Sequence, residues 1–136
     1  MRTQYEAVYA AIGRLLHAVA ACDRRVDAGE KRTLYELIRK RWLPFEASVD
    51  KHGTDAAHYV GFAFDTAAEQ GSAVEDDFSA FTDALREHPS LLSDAMRALI
   101  WETAHEVAKA IGGESDAEQD LLARLGQLLH GNPMPA

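Results

Sequence analysis

Apolar residues recur at steps of three and four along almost the whole chain, and that spacing commits it to helices. Tyr5, Val8, Tyr9, Ile12, Leu15, Leu16 and Val19 mark one face of a first helix over 3–22. A charged, glycine-containing turn follows, Asp23-Arg24-Arg25-Val26-Asp27-Ala28-Gly29-Glu30. Asp27 at N-cap and Glu30 at N3 then open a second helix with Leu34, Leu37 and Ile38 on its inner face. Pro44 disfavours helical geometry at the residue before it, so this helix should stop at Leu43 and a short one should run from Pro44 to Asp50. After the loop Lys51-His52-Gly53, Thr54 caps a helix to Gln70, closed by Gly71 and expected to be central. Its face is Tyr59, Val60, Phe62, Ala63 and Ala67. Ser72 and Glu75 read as a further capping box, before the stripe Val74, Phe78, Phe81 and Leu85. Pro89 stops that helix, and a long one spans Ser90 to Ile111. Gly112-Gly113 breaks it, and Ser115 with Glu118 caps the last helix, which buries Leu121, Leu122, Leu125, Leu128 and Leu129.

No run of alternating β-branched residues competes with this reading. The expectation is an all-α, single-domain bundle of six or seven helices over 1–130, with 131–136 as a flexible tail. The two ends of the chain also correspond to each other. Shifted by 88 positions, Val8 meets Met96, Ile12 meets Ile100, His17 meets His105 and Val19 meets Val107. Beyond the turn Asp27 meets Ser115, Glu30 meets Glu118, Leu34 meets Leu122 and Leu37 meets Leu125. A duplicated helix–turn–helix unit accounts for that common spacing, because each unit has an apolar face that it cannot bury alone.

The turn from Asp23 to Leu34 resembles the motif of TerB-like domains, which are named for tellurite-resistance proteins. The family pattern is A-D-G-x-V-x-x-x-E-x-x-x-L, and Asp23, Val26, Glu30 and Leu34 occupy its places. Arg24 replaces the glycine of that pattern. In the second unit Glu118 and Leu122 fit, but Ile111 or Gly112 stands where the acid would be. The resemblance implies an all-helical fold of about seven helices, acidic turns that bind divalent metal, and a role in tellurite-resistance or stress systems. It implies an asymmetric pair of turns, with the ion mainly at the first.

Spacing alone leaves that chemistry open. Asp23, Asp27 and Glu30 could offer oxygens to a hard cation, Ca²⁺ or Mg²⁺ ahead of Zn²⁺, Mn²⁺ or Fe. Capping accounts for Asp27 and Glu30 without any ion, and a nearby arginine such as Arg24 accounts for Asp23. Glu114, Asp116 and Glu118 form the second acidic turn, where negative charge stabilises a helix start without any ion. An alternative site is His17 with Glu102 and His105, the last two forming the chain's E-x-x-H. Di-iron bundles need that motif twice. It would make the protein a metalloenzyme or redox bundle, with Glu106 alongside.

A net charge of −8 argues against nucleic-acid backbones, although Lys31-Arg32 and Arg39-Lys40-Arg41 are local basic runs. Those runs read as a solvated helix face plus cations near a helix C-terminus. Cys22 is the only cysteine, which rules out an internal disulfide and fits a small core residue. No apolar run reaches the roughly 18 residues of a membrane span, and the cytoplasm is the expected compartment. No nucleophile elbow, phosphate loop or dinucleotide fingerprint is present, so a non-enzymatic role is favoured. Trp42 and Trp101 are expected as core or interface anchors, and protein partners or a structural homodimer as the mode of action.

Overall fold

The structure, a computed structural model, describes residues 4–22, 26–49, 56–111 and 115–130. All regular structure among them is helical: α1 (Gln4–Ala21), α2 (Ala28–Val49), α3 (Ala56–Gln70), α4 (Val74–Glu87), α5 (Asp94–Ala110) and α6 (Asp116–His130). A single 3-10 turn, Pro89–Leu91, joins α4 to α5.

The axis of the bundle is α1, not α3 as its apolar face suggests. Residues on nearly every side of α1 are buried, from Val8 and Tyr9 through Ile12, Leu15, Leu16 and Val19. A helix apolar all round has to be enclosed, and α3, α4, α5 and α6 all pack against it. Gly13 permits the closest approach. A Cβ there would sit 2.7 Å from the Ala63 Cβ and collide with the Val60 carbonyl oxygen on α3. In α3, Val60 and Phe64 turn inward while Phe62 stays 56% exposed.

The helix α2 runs through Pro44 without stopping. An interior proline loses one backbone bond and costs about 3 kcal/mol, so tertiary contacts must outweigh it. Trp42 is fully buried, and its Nε1 donates to Thr103 Oγ1 at 3.1 Å. Arg41 reaches Glu102 at 2.8 Å and Glu106 at 3.3 Å, both on α5. These contacts fix the turn ahead of the proline, as packing routinely does for helices of modest intrinsic stability. The run Arg39-Lys40-Arg41 therefore lies inside a helix rather than at its end, with Arg39 over the Tyr35 ring.

Helix ends follow local chemistry. Gly71, at φ 64°, closes α3; its N–H bonds Ala68 O and that of Ser72 bonds Ala67 O, the paired pattern of a Schellman cap. This arrangement explains why Ser72 does not cap α4. Its hydroxyl also donates to Ala67 O, and Ala73 takes the N-cap position with no side-chain cap. Glu75 instead forms a two-pronged ion pair with Arg124 of α6, at 2.9 and 3.0 Å. Helix α5 starts at Asp94 rather than Ser90, because Ser93 accepts from Met96 N. Cys22 is half-buried against the core, its Sγ donating to Val19 O. The expected cap at Thr54 and the expected flexible tail, 131–136, lie outside the described residues.

Candidate cation site at the acidic end of the bundle

The predicted caps at the two acidic turns both form, and both are reciprocal. At the start of α2, Glu30 N donates to Asp27 Oδ1 at 2.8 Å and Asp27 N donates to Glu30 Oε1 at 3.1 Å. At the start of α6, Glu118 N donates to Ser115 Oγ at 3.2 Å and Ser115 N to Glu118 Oε1 at 3.2 Å. Each pair satisfies N–H groups that a helix start leaves open. The two units thus correspond in their caps but differ in their neighbours. The main neighbours of α2 are α3 and α5, whereas α6 packs chiefly on α5.

The two turns share one end of the molecule. Asp27, Glu30 and Thr33 face Ala110 and Ile111 across a cavity of about 400 Å³. Ala110 ends α5, so the negative end of that helix dipole is turned toward the first acidic turn. The second turn follows directly from Ile111. Asp23 and Glu114, the remaining acids of these turns, lie outside the described residues.

The turns differ in burial. The Asp27–Glu30 cap is exposed. Glu118 is only 1% exposed, and while its Oε1 serves the cap, its Oε2 is buried with no hydrogen-bond partner among the described residues. A buried carboxylate oxygen left without a donor is costly. Asp116, two residues earlier, is exposed. No three of His, Cys, Asp and Glu gather as a metal cluster among the described residues.

The proposed His17–Glu102–His105 grouping is not brought together. Glu102 pairs with Arg41. His105 is exposed, its Nδ1 2.9 Å from Trp101 O and its ring 4.2 Å from the indole. Trp101 and His105 line an open groove of about 560 Å³ with Gln119, Leu122 and Ala123 of α6. His17 is buried elsewhere, with its Nδ1 2.7 Å from Asp77 Oδ2 on α4. Asp77 is fully buried, and its Oδ1 accepts from Arg14 Nε at 2.9 Å. One carboxylate thus ties two cationic or polar groups of α1 to α4. Sequence reasoning missed Asp77. A signal was there, because it lies three residues after Val74 and four before Phe81, within the apolar stripe of α4.

The fold and these turns define a small all-α bundle built on capped, acidic helix junctions. A sequence model of one family, described as Tellurite resistance protein TerB, matches residues 8–134. The chain therefore belongs to the TerB family. No match emerged from comparison with curated proteins or with solved structures. No helix among the described residues is long and apolar enough to cross a membrane.

Proposed function

We propose that this TerB-family domain is a non-enzymatic module that binds a divalent cation at its acidic end and acts through protein partners in a tellurite-resistance or stress response. The observation that carries the reading is the buried carboxylate of Glu118, whose Oε2 has no hydrogen-bond partner among the described residues. A hard cation such as Ca²⁺ or Mg²⁺ would supply the charge that this oxygen lacks. The negative end of α5, set against Asp27 and Glu30, favours the same sign of ligand. Ligands would come from Asp23, Asp27 and Glu30 at one turn and Glu114, Asp116 and Glu118 at the other.

Calorimetric titration of the full chain with Ca²⁺, Mg²⁺, Zn²⁺ and Mn²⁺ tests this. Ca²⁺ or Mg²⁺ should give a saturable heat, which Glu118→Gln removes and Asp23→Asn combined with Glu30→Gln removes as well. Absence of heat and of any change in melting temperature with all four ions would sink the proposal. The partner half of the reading rests on the open Trp101 groove between α5 and α6. Indole rings at an open surface are common anchors of protein contacts, and light scattering with and without the ion checks for a homodimer there.

A further inference from the structure

The Asp77 network stands behind two adjoining cavities that the cation reading does not use. One, of about 290 Å³, lies between α1 and α3. Ala10, Tyr59, Phe62 and Ala63 form its apolar side, and Arg14 and Thr66 line it as well. The other, of about 340 Å³, is lined by His17 and the turn between α3 and α4. Gln70 and Ser72 line both.

Asp77 holds Arg14 through Nε alone. The two terminal amino groups of Arg14 make no hydrogen bond among the described residues. They form a fork whose stem is fixed by a fully buried carboxylate, itself held from the other side by His17. Such a fork matches a carboxylate in two-pronged geometry. The apolar side carries two aromatic rings, and Phe62 is one of only three large hydrophobic residues exposed among the described ones. A cavity of this size is at the small end of ligand sites, which run roughly 300–1,000 Å³. Charge sets the valence of the ligand. Asp77 already offsets Arg14, and a chain of net charge −8 repels multivalent anions.

We propose that the α1–α3 cavity binds a small aromatic monocarboxylate, its carboxylate on the terminal amino groups of Arg14 and its ring against Tyr59 and Phe62. Arg14 is the binding residue, and Asp77 is a positioning residue that acts through it.

Phenylacetate is the probe, added to the ¹⁵N-labelled full chain and followed by backbone and arginine side-chain resonances. Arg14→Gln is the informative variant. A glutamine amide nitrogen stands at the same distance along the side chain as arginine Nε, so the donor to Asp77 Oδ1 is kept while the fork is lost. Saturable shifts at Arg14, Phe62 and Thr66 are expected with millimolar phenylacetate, and about tenfold weaker binding in Arg14→Gln at a melting temperature near that of the parent. Ala10→Leu, which fills the cavity without touching the network, should abolish the shifts even if Arg14→Gln fails to fold. The proposal is overturned by shifts that do not saturate, by undiminished binding in a folded Arg14→Gln or in Ala10→Leu, or by inorganic phosphate or octanoate binding as tightly as phenylacetate.

Discussion

Removing the Asp77 carboxylate should be among the most damaging single changes outside the apolar core. Asp77→Ala breaks contacts of 2.9 Å to Arg14 and 2.7 Å to His17. The two losses are unequal. The Arg14 side chain is 39% exposed and can turn to water, so its share is small. The His17 side chain is 3% exposed and packs edge-on against Phe64 at 6.2 Å, so its Nδ1 is left without a partner. A hydrogen bond to a charged group is worth about 1.5–3 kcal/mol, and stranding a buried polar group costs ~1–3 kcal/mol, two measures of the same loss at His17. With the small Arg14 share they put the cost near 3 kcal/mol, of a total stability of about 5–15 kcal/mol. With a urea slope of about 1.5 kcal/mol per M, the midpoint should fall by about 2 M. Far-UV circular dichroism in urea measures it. The pair Asp77→Leu with His17→Leu should recover most of the loss, since apolar replacement of both partners removes the stranded group. A loss below about 1 kcal/mol in Asp77→Ala, or a double variant as unstable as the single one, would refute this reasoning.

Other perturbations read other parts of the fold. Asp27→Ala and Ser115→Ala should each cost about 1 kcal/mol as lost N-caps, measured by thermal denaturation. Gly71→Ala places a side chain at φ 64° and should cost about 1 kcal/mol by the same measurement. Gly13→Ala should be worse, because its Cβ would meet α3 backbone, and it should lower the urea midpoint more than Gly71→Ala does. The hydrogen bonds and charge of Arg124 hold the Glu75 carboxyl below its ordinary 4.5. Its contribution to stability is therefore present above pH 4.5 and lost as pH falls through the lowered folded value. Carboxyl-carbon NMR titration should show this, and Arg124→Gln should return Glu75 to about 4.5.

Helix periodicity made most of the fold legible, because an amphipathic stripe must be buried wherever it occurs. The caps at Asp27–Glu30 and Ser115–Glu118 were legible for the same local reason. The misreadings arose where distant residues decide. Pro44 looked like a stop, yet Trp42 and Arg41 are held by α5, some sixty residues away. Ser72 looked like a cap for the helix that follows it, but its backbone closes the helix before it. His17 and His105 share a place in the repeat, whereas Asp77 and Trp101 give them different surroundings. The acidic turns were visible as charge, but the burial that sets Glu118 apart from Glu30 was not. It depends on how α6 seats against α5 and α1.

The claim that the acidic end takes up a divalent cation is tested most directly by a Ca²⁺ titration of the ¹⁵N-labelled chain, with Mg²⁺ as the second ion. Saturable shifts should concentrate at 27–30 and 115–118, the two capped turns, and Glu118→Gln should suppress them. Shifts that stay linear with concentration, or that spread over exposed carboxylates such as Glu75 and Glu87 while the turns stay still, would contradict it.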